Sequence, residues 1–234
     1  MTDIQKPNAR RRAVNMLTQV LGKNQPLEDI LSEHLKGLSN RDRALARALT
    51  STCLRHLGII DTLIDKMLER PLPKAATNIR NVIRLGLTQI LYMDIPVHAA
   101  VHDTVELIPD NSKFKGLVNA LLRRTDRQGK KLLAKMNIAH RNTPDWLWAS
   151  WREFYGPELA ENIALAHLNE APLDVSVKSN PDLWAQKLDA KLLPTGHLRR
   201  AAGGAITSFE GFEEGDWWIQ DFAASLPAKL FGDI

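Results

Sequence analysis

Apolar positions recur at three- and four-residue spacing through most of the first half of the chain, the period of amphipathic helices. Between residues 78 and 124 three such stripes follow one another. Ile79, Val82, Ile83, Gly86, Leu87, Ile90 and Leu91 draw the first, with Arg80, Asn81, Arg84 and Thr88 expected on a wet face opposite. Pro96 suits a helical first turn, and Val97, Val101, Thr104, Val105 and Ile108 draw the second. Asp110, Asn111 and Ser112 make a turn and a cap, after which Phe114, Leu117, Val118, Leu121 and Leu122 draw the third. Helices on connections this short must bury their stripes against one another, so this stretch is expected to be the centre of a helical bundle.

Four further helices are predicted upstream. Residues 9–21 turn Ala13, Met16, Leu17, Val20 and Leu21 inward, and residues 26–35 form a short second helix. Ser39-Asn40-Arg41-Asp42 has the form of a capping box and opens a helix whose inner face holds Leu45, Ala48, Leu49, Thr52 and Cys53. After Gly58, the residues Ile60, Leu63, Ile64, Met67 and Leu68 draw another, which Pro71 and Pro73 stop.

The helical period fades across residues 125–142, and a domain boundary is expected there. Thr143-Pro144-Asp145 starts a helix carrying Trp146, Trp148, Trp151, Phe154 and Tyr155, and another helix follows at 157–169. Aromatics at this density suit stacking on unpaired bases or packing against a neighbouring domain. Residues 173–178 alternate apolar and polar, the first strand signal in the chain. A helix capped by Asn180 runs through Leu188, and residues 205–209, bracketed by glycines, are expected to be a second strand. The predicted fold is mainly α: a helical bundle over residues 1–130, a small α+β domain over 143–212, and a distinct closing segment at 213–234.

Net charge is only +4, but it is polarised: residues 1–135 hold 23 Lys and Arg against 13 Asp and Glu, and residues 136–234 hold 8 against 14. The basic half is the half with the bundle, as a polyanion-binding module would be; a basic helical domain with no ligand carries the same signature. Arg10, Arg11 and Arg12 stand together at a helix N-terminus, where they oppose the macrodipole, so helix stability does not account for them. They read as a solvated end or as a phosphate clamp. His98 and His102 are four apart, but residue 99 is alanine and no third ligand is evident, so no metal is expected. No stretch approaches eighteen apolar residues, and the opening MTDIQKPNARRR lacks a signal-like apolar core, which makes a cytoplasmic protein without a membrane span the expectation. The single cysteine, Cys53, excludes an internal disulfide and reads as a small core residue.

The run PVHAAVHDTVEL followed by KFKGLVNALLRR resembles the signature helices of the NusB-type RNA-binding domain, through Pro96, Val101, Asp103, Val105 and Glu106, then Lys113, Gly116, Val118, Asn119, Leu121 and Arg123. It is most similar to the version at the front of the Sun/Fmu family of small-subunit ribosomal RNA cytosine-5 methyltransferases. That resemblance implies a NusB-like bundle, an α+β linker domain, and small-subunit ribosomal RNA as partner. It also tips the arginine run toward a phosphate clamp, with Lys113, Lys115, Arg123 and Arg124 completing the expected RNA-binding set. Residues 212–227 resemble the family's lead-in to the catalytic domain, where a strand ending in Gln-Asp precedes a helix, so the resemblance implies that 213–234 is the truncated start of a methyltransferase domain.

The resemblance further implies an S-adenosylmethionine-dependent reaction in the whole enzyme. There a thiolate adds to carbon 6 of cytosine, the resulting species attacks the sulfonium methyl, and a second cysteine helps release product. One cysteine cannot fill both places, and the sequence contains no Gly-rich cofactor cradle. The chain, which stops at Gly232-Asp233-Ile234, is therefore expected to bind RNA, to hold no cofactor itself and to be inactive alone. Two alternatives stand beside this: a free-standing NusB-type regulator of transcription antitermination, against which the tail from Thr143 argues, and a structural helical scaffold with no RNA affinity.

Overall fold

A computed structural model describes residues 8–201, 203–204 and 206–230. The chain divides into two compact units between Leu168 and Asn169.

The first unit contains α1 (Ala9–Lys23), α2 (Leu27–Leu35), α3 (Asn40–Arg55), α4 (Leu57–Met67), α5 (Thr77–Tyr92), α6 (Val97–Val105), α7 (Lys115–Leu133), α8 (Ile138–Asn142), α9 (Asp145–Tyr155) and α10 (Pro157–Ala166). The opening helix of the 78–124 stretch is its centre: α5 packs against α1, α3, α4, α6 and α7. Gly86 permits that crowding, since a Cβ there would lie 2.3 Å from a Leu122 methyl and 3.1 Å from Thr104 Cγ2.

The wet face expected on α5 is not one. Asn81 and Thr88 are fully buried, and the arginines beside them are enclosed in a polar network. Arg84 donates to Asp61 (2.8 and 2.7 Å) and to Asn81 Oδ1 (2.7 Å), Asn81 Nδ2 donates to Thr18 Oγ1 (3.0 Å), and Arg80 donates to Asp61 (3.1 Å) and Asp65 (2.8 Å). Polar residues are inside because α1 and α4 bring the partners that satisfy them.

Helix α7 also runs nine residues past Arg124, through the stretch where the apolar period fades. Gly129 lets it pass close to α5, with Leu91 Cδ2 2.9 Å from where a Cβ would be, while Leu132 and Leu133 still pack on the core. The short α8 then seats on the start of α4. Ile59 N donates to Asn142 Oδ1 (2.9 Å), and a Cβ on Gly58 would sit 1.9 Å from the Arg141 carbonyl oxygen.

The second unit contains β1 (Leu173–Val177), α11 (Pro181–Lys187), β2 (Lys191–Leu192), β3 (Leu198–Arg200), β4 (Trp217–Ile219) and α12 (Phe222–Lys229). Its sheet has the order β2-β3-β1-β4, and every pair is antiparallel. Val175, Leu198, Trp217, Trp184 and Leu188 form its core. The strand expected at 205–209 is absent: Ile206–Ser208 is a 3-10 turn, and residue 205 lies outside the described residues. Ile206 and Phe209 reach the core at the three-residue spacing of a turn, not by alternation, and Gly204 and Gly211 at positive φ leave room for the Phe209 and Trp184 rings. The β2–β3 hairpin escaped the sequence reading because its strands are two and three residues long. The strand and helix anticipated around Gln220-Asp221 are β4 and α12, with Asp221 Oδ1 accepting from Ala224 N (3.1 Å) as the cap; Gly232, Asp233 and Ile234 lie outside the described residues.

Candidate nucleic-acid interface

The cations of the first unit divide into those held by internal partners and those left to solvent. Asn8 caps α1, its Oδ1 accepting from Arg10 N (2.9 Å) and Arg11 N (3.2 Å), and this fixes where the three arginines leave the helix. Arg10 turns inward. Its Nε donates to Gln89 Oε1 (2.7 Å), its Nη2 pairs with Asp103 (3.0 Å), and its side chain is only 15% exposed. Gln89 Nε2 in turn donates to Leu85 O (3.2 Å) and Thr104 Oγ1 (2.9 Å), so Arg10 closes a network joining α1, α5 and α6.

The half-buried side chains of Arg11 and Arg12 have no hydrogen-bonded or acidic partner among the described residues. Arg12 lies within electrostatic reach of His34, a buried residue whose ring nitrogens find no partner among the described residues. Burial lowers the His34 pKa against the opposing charge of Glu33, and Arg12 adds a smaller push in the same direction as burial.

On α7 the same division holds. Lys115 is held by Asp110 and by Glu106 (3.3 Å); the hydrogen bond to Lys115 keeps the Asp110 carboxyl below its usual range. Arg124 Nη1 donates to Met67 O (3.0 Å), capping the last carbonyls of α4. Lys113 is exposed and lies over the Phe114 ring at 5.4 Å, and Arg123 is exposed with one bond to Asn119 Oδ1 (3.3 Å) on its own helix. Ending the predicted helix near Arg124 hid a further row: Arg127, Lys130 and Lys131 are exposed at four, seven and eight residues beyond Arg123. Their spacing was the signal, once the helix is carried through Gly129. Arg41 and Arg47 of α3 are exposed as well, whereas Arg43 Nε donates to Leu38 O (3.0 Å).

Helix α6 stands between these groups. Asp103 receives Arg10, while His98 and His102 line a groove of about 380 Å³ against α7 with Val97, Val101, Asn119 and Arg123. Among the described residues no cluster of three or more His, Cys, Asp or Glu is placed to hold a metal. Cys53 is buried, and burial pushes its thiol up to about 11, which leaves it protonated and unreactive at neutral pH. No helix among the described residues is long and apolar enough to cross a membrane.

Residues 7–127, which span α1 to the middle of α7, match the model of the NusB family. The chain belongs to the NusB family. Beyond the NusB match it is similar, over 231 residues at 32% identity, to Ribosomal RNA small subunit methyltransferase B of Shigella boydii serotype 18 and of Escherichia coli strain SMS-3-5. The alignment covers 93% of this chain and 54% of each relative, so the chain spans about half the length of the curated relatives it matches. Among solved structures, the crystal structure of PH0851 superposes over 96% of this chain and 55% of its own with a TM-score of 0.54 at 13% identity, a likeness of fold alone. The NusB-type bundle is thus the part that bears the exposed arginines and lysines, and the likeness to the methyltransferases continues through the small sheet.

Proposed function

We propose that this chain is the RNA-binding portion of an S-adenosylmethionine-dependent ribosomal RNA cytosine-5 methyltransferase, and that it grips structured small-subunit RNA through the NusB-type bundle. Direct phosphate contacts are assigned to Arg11, Arg12, Lys113 and Arg123, extended by Arg127, Lys130 and Lys131. Arg10, Lys115 and Arg124 hold the scaffold from which those groups project. The observation that carries this reading is Arg11 and Arg12, placed by a capped helix start and with no acid to neutralise their guanidinium groups among the described residues. Guanidinium binds phosphate oxygens in pairs of parallel hydrogen bonds, and each neutralised phosphate releases condensed counterion.

The transfer chemistry is assigned to the further length of the relatives. The small sheet is antiparallel throughout the described residues, so it forms none of the parallel strand-turn-helix cradles in which a nucleotide cofactor sits on a helix N-terminus. Cys53, enclosed in the bundle core, is not placed to attack a base. Similarity to the methyltransferases over 93% of the chain favours this reading over a free-standing antitermination regulator.

Titration of a labelled RNA hairpin across salt tests the binding. The affinity is expected to fall steeply, with a log–log slope of about −5 to −6 for seven phosphate contacts, and changing Arg11 and Arg12 to alanine is expected to remove about two of those units. A flat salt dependence overturns it. Incubation with labelled S-adenosylmethionine and naked ribosomal RNA tests the rest, since methyl transfer above blank would contradict a purely binding role.

A further inference from the structure

The second unit contains a cleft of about 420 Å³ between the polar face of its sheet and α12. Successive residues of a strand point to opposite faces, and β4 uses that to separate two tryptophans. Trp217 is 1% exposed in the core, while Trp218, paired with Ser176 across the β1–β4 ladder, is 44% exposed and lines the cleft. At 44% exposure, Trp218 leaves part of a flat π-surface open beside polar groups.

Around it stand hydrogen-bond donors. Ser176 Oγ donates to Gln220 Oε1 (2.6 Å), which fixes that amide and leaves its N–H groups without an acceptor among the described residues. Lys178 lines the cleft with no carboxylate bonded to it among the described residues, its ammonium beside Gly215, where a Cβ would come within 3.6 Å. The frame is held independently of any occupant. Asp174 accepts from Arg199 twice (2.7 Å each) and from Phe222 N (3.1 Å), pinning the first residue of α12 to β1.

An open indole, a fixed amide donor and one ammonium suit a ligand with a flat face, an acceptor-rich edge and a single negative charge. We propose that this cleft binds one unpaired nucleotide of the RNA, its base stacked on Trp218, its edge met by Gln220 and its phosphate by Lys178. This deepens the RNA-binding reading and rests on it. Paired bases are excluded because their faces are already covered by neighbours in the helix. The surrounding half of the chain is acidic, with 14 Asp and Glu against 8 Lys and Arg over residues 136–234, so recognition here comes from stacking far more than from charge. It therefore survives salt that weakens the arginine surface.

Two measurements on the full chain decide the matter. Adenosine 5′-monophosphate titrated into isotope-labelled protein is expected to shift the indole N–H resonance of Trp218, identified by its loss in Trp218→Phe; no shift at about 10 mM nucleotide overturns the cleft, whatever the bundle binds. RNA hairpins with and without a single-stranded tail are then compared. Trp218→Ala is expected to weaken the tailed RNA by about tenfold and the blunt one by much less, with Trp218→Phe restoring most of the loss and the ratio holding as salt rises. Lys178→Gln is expected to give a smaller, salt-dependent loss.

Equal loss on both RNAs, or a tailed RNA indifferent to Trp218 while still sensitive to Arg11 and Arg12, sinks the nucleotide cleft and leaves the bundle's role intact. A nucleotide-induced shift in a protein that binds neither RNA removes the reading beneath it and the proposal with it. A Trp218 resonance that moves on dilution without nucleotide assigns the face to a second copy and overturns it as well.

Discussion

Arg10, Arg11 and Arg12 are identical in type and adjacent in sequence, yet the fold gives them different work. Arg10 makes charge-assisted bonds to Gln89 and Asp103, and removing it leaves buried Gln89 Oε1 without its donor and the Asp103 carboxylate without its cation. Arg10→Ala is expected to lower stability by about 1.5–3 kcal/mol in urea unfolding, whereas Arg11→Ala and Arg12→Ala stay within about 0.5 kcal/mol and show their effect in RNA affinity. The sequence placed all three outside the apolar stripe and could not separate them, because the acceptors that capture Arg10 lie 79 and 93 positions away. Cys53 was legible: its place on an apolar face announced a core residue, and the structure encloses it. With its thiol pushed up to about 11, Cys53 is expected to resist thiol reagents at pH 8 in the native protein and to react only as fast as the bundle opens, which mass spectrometry of pulse-labelled protein would follow.

Among elements, α4 shows how a helix start can be fixed from two sides. His56 precedes it and stacks on Tyr92 at the end of α5, with ring centroids 3.8 Å apart and planes within 3°. Burial, reinforced by Arg55, lowers the His56 pKa to about 4, so between pH 6.5 and 4 the unfolded chain takes up a proton that the folded one refuses. Stability associated with this stack is present above pH 6.5 and lost as pH falls toward 4. Urea midpoints measured across that window are expected to decline, and to decline less in His56→Phe, which keeps a ring and cannot titrate. The other side is Gly58. Gly58→Ala would drive a methyl into the Arg141 carbonyl and is expected to cost about 1–3 kcal/mol, read as a lower Tm. Helix period told where α1 to α7 lie, since each must bury a stripe; it failed at the end of α7 and on α5, where a glycine contact and a satisfied polar network replace apolar residues.

For the whole molecule, a basic bundle and an acidic sheet unit were visible as a change in charge along the chain, but the division in space falls at Leu168–Asn169. Helices α9 and α10 carry a strong local signal for their own existence and none for what they pack on, while α8 lies in the stretch where the helical period fades and is not expected there. In the second unit the buried Asp174 is held below the ordinary carboxylate range, chiefly by its hydrogen bonds from Arg199 and helped by Phe222 N. A depressed carboxyl stabilises the fold above its unfolded value and stops doing so as pH falls through the folded one, so acid below about pH 4 is expected to loosen α12 first. Hydrogen exchange of the α12 amides at pH 3 and pH 6 checks this, with Asp174→Asn expected to erase the difference. The Gly58 seat has a bearing on ancestry. Recombination that spliced a foreign tail onto this bundle at residue 130 would leave the Ile59 amide without Asn142 and a bare backbone facing whatever arrived, whereas a crossover after Leu168 would keep the seat whole. Chimeras between relatives are expected to tolerate the later junction and to reject the earlier one.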